Sequence, residues 1–244
     1  YNLDFIAEML AHDPANPQAA LTPANLHRQG GNLKNHLRQI SRFNLAPLIA
    51  GSEGTLAVVS EATLDLVPIP HNTGLVITSF DSLLDAMRAI PALLSLNPSA
   101  IELIGGLFIK LARDLPECRG RLDWLDVSRG IPDGLLVIEF TGDNQAEVEA
   151  GIASLERLVA REHLACTLRP LRDARPQADV WYVRKIGLNV LASIRSDFKP
   201  ISVVEDVAVP VDLLPVYIER LRAIFAQHNT EGAFYAHASA GVLH

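Results

Sequence analysis

The chain has 244 residues, 49% of them hydrophobic, which supplies a packed core and excludes global disorder. Its 28 acidic and 21 basic side chains give a formal charge of −7, an unfavourable balance for broad nucleic-acid backbone binding. No apolar run reaches the ~18 residues a membrane span needs, and two cysteines without a CxxC spacing, Cys118 and Cys166, exclude a disulfide framework, a zinc ribbon or an iron–sulfur cluster within these residues. The length fits one large domain or two small ones. Tyr1 is not a methionine, no signal peptide precedes the first periodic segment, and His244 ends an apolar stretch without a polar tail, so a fragment of a longer protein, cut at both ends, is expected.

From residue 1 to about 70 the texture is irregular. Leu3–Ala11 has helical periodicity, His12–Pro23 carries three prolines and reads as loop, and Asn25–Phe43 is polar and basic. Gly51–Gly54 reads as a tight turn, with Thr55–Ser60 and Ala62–Val67 as strands after it. From Thr73 the rhythm becomes an alternation of strands and helices. Strands are expected at Gly74–Phe80, Ala100–Ile104, Gly134–Thr141, Cys166–Arg169, Ser202–Val209 and Ala233–His237. Helices are expected from an N-cap at Asp81 to Leu94, at Leu107–Leu115, Asp143–Glu162, Val180–Ile194 and Pro210–His228. The third of these places Val148, Ile152, Leu155, Leu158 and Val159 on one face by their three-to-four spacing. Short connections between alternating elements favour an α+β or α/β sandwich over a helical bundle. Two βαβ-like halves predict a ferredoxin-like antiparallel sheet with helices on one face.

Three motifs stand out. In Gly51-Ser52-Glu53-Gly54-Thr55-Leu56 the glycines permit positive φ and close backbone approach, so hydroxyls and N–H groups can face a phosphate or a flavin edge; an isolated GxxG is also an ordinary hairpin turn. In Tyr235-Ala-His-Ala-Ser-Ala-Gly-Val-Leu-His244, a strand–turn–strand brings His237 and His244 to one site, as divalent metal binding requires, although a histidine pair is more often structural. In Lys199-Pro-Ile-Ser-Val-Val-Glu-Asp-Val-Ala-Val-Pro210, a strand points Glu205 and Asp206 to opposite faces, so one carboxylate faces inward and needs a partner; a sheet-edge carboxylate paired with an arginine fits equally well.

The stretch Leu48–Pro68, with its Gly-Ser-Glu-Gly-Thr-Leu turn, closely resembles the end of the FAD-binding domain in the vanillyl-alcohol oxidase/p-cresol methylhydroxylase-type flavoproteins, the FAD-linked oxidases. The other two motifs are similar to that family's Lys-Pro-x-x-x-x-Glu-Asp-x-x-x-Pro and His-x-x-x-Gly-x-Leu-His stretches and occur in the family's order. The likeness therefore covers essentially the whole chain. It is nearest to the D-lactate and D-2-hydroxyglutarate dehydrogenases, in the branch that appends an iron–sulfur module. One departure is that the family's more usual Gly-Asp-Gly-Asn between the histidines reads Ser239-Ala240-Gly241-Val242 here.

The resemblance implies a division into 1–70, the tail of the FAD-binding domain, and 71–244, the substrate domain, truncated at its end. It implies FAD held by Gly51, Ser52, Glu53, Gly54, Thr55 and Leu56, and a divalent metal, zinc or manganese, on His237 and His244 with a third ligand further downstream. Any iron–sulfur cluster would lie outside these residues. It places the substrate carboxylate on Arg184, in Trp181-Tyr-Val-Arg-Lys185, and on Lys199, with Glu205 completing the candidate catalytic set. Arg suits the task because its fork makes two parallel bonds to a carboxylate; Arg195 and Lys185 are alternatives. The implied activity is hydride transfer from a D-2-hydroxy acid to FAD, in the cytoplasm or peripheral to the membrane, with the electron acceptor open and a homo-oligomer compatible. The alternative is a ferredoxin-like ligand-binding or assembly domain with no redox activity of its own.

Overall fold

A computed structural model describes residues 49–64, 66–128, 130–187, 201, 204 and 207–244. The chain divides into two units, Tyr1–Val67 and Pro68–His244. In the first, residues 51–54 form a turn and the described residues from 57 to 67 run on without strand structure. The strands expected at Thr55–Ser60 and Ala62–Val67 are therefore not formed among the described residues. A strand persists where a neighbour takes up its N–H and C=O groups, and here Val58, Leu64 and Leu66 stand largely exposed. The helical segment expected at Leu3–Ala11 and the polar, basic stretch Asn25–Phe43, like Lys199 and the Glu205–Asp206 pair, lie outside the described residues.

The second unit carries seven described strands: β1 (Asn72–Phe80), β2 (Ala100–Gly105), β3 (Gly134–Gly142), β4 (Cys166–Leu171), β5 (Val207–Ala208), β6 (Tyr235–His237) and β7 (Val242–Leu243). The described helices of this unit are α1 (Leu83–Leu94), α2 (Gly106–Arg113), α3 (Gln145–Arg161), α4 (Ala174–Lys185) and α5 (Leu214–Gln227). The strand order is β4-β1-β3-β2-β6-β7-β5, and every pairing is antiparallel. The first four strands in this order, with α1 and α3, make the expected ferredoxin-like α+β arrangement; β6, β7 and β5 extend it beyond β2.

Local chemistry sets the element ends. Ser82, one residue beyond the expected Asp81, caps α1 by accepting from the Asp85 N–H at 3.3 Å. Asn144 caps α3 at 3.1 Å, and Glu147 reaches back to the Asp143 N–H at 2.9 Å, a reciprocal capping arrangement. Helix α4 starts six residues before the expected Val180, because Pro176 falls in its first turn, where a missing N–H costs nothing.

Parity along the strands sorts the core. Val76, Phe80, Ile101, Leu103, Leu136, Ile138 and Phe140 pack with α1, α3 and α5. Leu75, Ile77, Ile104, Leu135 and Val137 pack with α2 and α4. Helices therefore cover the second face as well as the first, which is why burial runs without alternation along Gly74–Thr78 of β1 and Gly134–Ile138 of β3.

One buried polar atom sits badly in this core. Thr78 is fully buried and its hydroxyl has no hydrogen-bond partner among the described residues. Burying an unused hydroxyl costs about 1–3 kcal/mol. Thr78→Val removes it at nearly the same shape and is expected to raise stability by about 1 kcal/mol, read as a higher urea midpoint at unchanged slope.

Candidate active site

The α4-facing side of the sheet gathers the polar residues that the sequence scatters. Glu102 on β2 shares its face with Ile104, and its register partner on β6 is His237. Tyr235 lies two residues before His237 and therefore points the same way. His244 follows β7 and exchanges both backbone hydrogen bonds with Tyr235, at 2.8 and 3.1 Å, which brings it to the same face. Helix α4 lies over this face through Val180 and Val183, and Arg184 follows Val180 by one turn.

The contacts are close. The Arg184 Nε–H donates to Glu102 Oε2 at 3.0 Å, and Nη2 lies 2.8 Å from the same oxygen. That second approach is out of line for a hydrogen bond, so the buried Nη2 makes none among the described residues. Glu102 Oε1 lies 2.8 Å from His237 Nδ1. The guanidinium stands 4.8 Å from the centre of the Tyr235 ring, a cation–π distance. Tyr235 stacks on His244 at 4.6 Å, and the rings of His237 and His244 meet edge to face at 5.2 Å. The side chains of Arg184 and Glu102 are 13% and 11% exposed, against 51% for His237, so the ion pair forms the floor and one imidazole opens outward.

The loop that makes this possible is short. After β6, a 3₁₀ turn over Ala238–Ala240 ends at Gly241 with φ 73° and ψ 18°, and β7 returns beside β6. A Cβ at Gly241 would run into the Val209 carbonyl oxygen, while the Val209 N–H donates to the Gly241 oxygen at 2.9 Å. Glycine is required here both by the left-handed backbone and by the close neighbour.

Residues 69–244 match the family model described as FAD linked oxidases, C-terminal domain. The chain belongs to this family. As an FAD linked oxidase C-terminal domain it is similar to D-2-hydroxyglutarate dehydrogenase of Escherichia coli (strain K12), 31% identical over 219 residues, 84% of this chain and 21% of that protein. The enzyme of the same name from Pseudomonas putida (strain KT2440) is 32% identical over 222 residues, 86% of this chain and 21% of the relative. D-lactate dehydrogenase [cytochrome] 1, mitochondrial, of Saccharomyces cerevisiae is 27% identical over 206 residues, 83% of this chain and 34% of its own. The chain thus spans about a fifth of the two bacterial relatives.

Of the residues singled out by sequence, Arg184, His237 and His244 come together in this FAD linked oxidase domain. Gly51–Leu56 belong to the other unit. There the Ser52 hydroxyl donates to the Ile49 oxygen at 2.8 Å and the Thr55 hydroxyl to the Ser52 oxygen at 2.6 Å, so both protons close the turn instead of pointing outward. Gly54, at φ 77°, has no described atom within 4 Å of where a Cβ would stand. The His237 and His244 rings lie side by side at 5.2 Å, with the Glu102 carboxylate 2.8 Å from His237 Nδ1. Among the described residues no group of three or more His, Cys, Asp or Glu is placed to hold a metal ion. Glu102 and Tyr235 were not among the candidates from sequence. The available signal was the lone carboxylate inside the apolar strand Ala100-Ile-Glu-Leu-Ile104, since a charge there must find a partner.

Proposed function

We propose that the chain is the substrate-side part of a flavin-dependent dehydrogenase that oxidises a D-2-hydroxy acid of the D-2-hydroxyglutarate or D-lactate type to the 2-oxo acid. The observation that carries this reading is the buried Arg184 guanidinium, ion-paired to Glu102, beside two imidazoles on one face. A guanidinium fork has donors beyond those one carboxylate oxygen takes, and a substrate carboxylate accepts from them. Residues 1–70 are the end of the FAD-binding part and 71–244 the substrate part, with Lys199 and Glu205 completing the proposed catalytic set.

In the reaction the substrate loses a hydride from C2 and a proton from its hydroxyl. FAD, held in part by the Gly51–Leu56 turn, would supply the hydride acceptor, and a divalent metal held by His237 and His244 would supply the positive charge that acidifies the hydroxyl, whose proton leaves to solvent. Arg184 grips the carboxylate and sets the orientation of C2. Tyr235 keeps water from the guanidinium with its ring and holds His244 flat by stacking.

The test uses the full-length protein that contains this chain. D-2-hydroxyglutarate or D-lactate is expected to bleach its flavin absorbance. Arg184→Lys keeps the charge but loses the fork, and is expected to raise KM about 10- to 100-fold, one to two charge-assisted hydrogen bonds' worth. No bleaching with either acid would sink the reading and favour a binding or assembly domain instead.

A further inference from the structure

We propose that Glu102 is a positioning residue: it fixes His237 with Nε2 as a lone pair and ties that imidazole to the carboxylate clamp Arg184. This rests on the reading above for what Arg184 and His237 then do, but the geometry stands on its own. An ionised carboxylate accepts hydrogen bonds and donates none. Its oxygen 2.8 Å from His237 Nδ1 therefore places a hydrogen on Nδ1 and leaves the other ring nitrogen bare in the neutral imidazole. The His237 side chain is 51% exposed, so its ring is reachable from solvent while Nδ1 is engaged by Glu102.

The second oxygen of the same carboxylate takes Arg184. Glu102 reaches Arg184, 82 residues away, and His237, 135 residues away, so one rigid strand residue sets the spacing between the two functional groups. The cation makes the buried carboxylate tolerable, and the carboxylate makes the imidazole a better-oriented ligand. A plain structural ion pair needs only Arg184. The additional bond to His237, with the two residues directly opposite across β2 and β6, joins the imidazole to the same carboxylate as Arg184.

The full-length protein and its Glu102→Gln, Arg184→Lys and His237→Ala variants are compared by calorimetric titration with Zn²⁺ and by steady-state turnover of the 2-hydroxy acid. Loss of an outer-shell carboxylate typically costs 10–100-fold in metal affinity or activity. Glu102→Gln is expected to weaken zinc and lower kcat by about that factor, while KM moves less than about threefold because Arg184 keeps its charge. Arg184→Lys should show the opposite split, with KM raised and zinc affinity kept. If Glu102→Gln does not fold, Glu102→Asp, too short to span both partners, is judged by the same criterion. Equal zinc affinities for wild type and the Glu102 variant, whether both bind or neither does, overturn the proposal. A wild type that turns over no 2-hydroxy acid, with zinc still weakened by Glu102→Gln, would remove the functional reading and leave the role of Glu102 standing.

Discussion

Replacing Arg184 by methionine is expected to cost about 3–5 kcal/mol of folding stability, far more than loss of a surface ion pair. The reason lies in what remains behind. Glu102 keeps its charge in a site where its side chain is 11% exposed, with His237 as its remaining polar partner among the described contacts. Methionine fills most of the stem volume of arginine, so packing between Val180, Val183 and the sheet is kept and the loss reports the stranded carboxylate. The double variant Arg184→Met/Glu102→Leu removes both charges and should recover all but about 1 kcal/mol, since a well-packed apolar pair often equals a buried ion pair. Urea unfolding of both singles and the double gives the coupling energy directly. If Arg184→Met costs under about 1 kcal/mol, water reaches Glu102 and the pair is not the floor of the site.

Arg172 and Glu149 provide the internal control. Their contact is a two-bonded fork to both carboxylate oxygens, at 2.7 and 2.8 Å, and it holds the Glu149 carboxyl below its ordinary range. Both side chains are exposed, so solvent and salt screen the attraction and Arg172→Met should leave the urea midpoint nearly unchanged.

The elements that read correctly from sequence are those whose own residues decide them. Helix α3 announces itself by its spacing and its Asn144–Glu147 cap, and β3 by the apolar run Leu135–Ile138 that follows Gly134. What failed depends on partners. Thr55–Val67 has strand-forming residues and is not a strand among the described residues, because β structure requires a neighbour and not merely a propensity. Helix α4 is polar along much of its length, so its periodicity is weak and its start was misjudged. The site divides the same way. The histidine pair was visible as a motif because one short turn joins its members. Glu102 was hidden because its significance arises from residues brought together only by the sheet order, β6 beside β2 and α4 above it.

That dependence on one turn makes Gly241 the most sensitive backbone position of the site. Gly241→Ala is expected to cost about 2–4 kcal/mol, combining a residue forced into the left-handed region with a backbone collision that no side-chain rotation relieves. The Val209 carbonyl is itself fixed by the pairing of β5 with β7, so it has little room to retreat. Relief has to come from displacing β7, and β7 carries the backbone bonds that set His244 against Tyr235 and His237. The variant should therefore lose the edge-to-face contact of the two imidazoles before it loses the β1–β3 core, which is separated from β7 by β6 and β2. Two measurements separate these effects: urea unfolding for the global cost, and zinc titration of the folded variant for the histidine geometry. Weakened zinc binding in a protein that is still folded is the expected result. Full zinc affinity together with a loss of stability below about 1 kcal/mol would mean that the turn accepts a Cβ and that the spacing of the histidines does not depend on glycine.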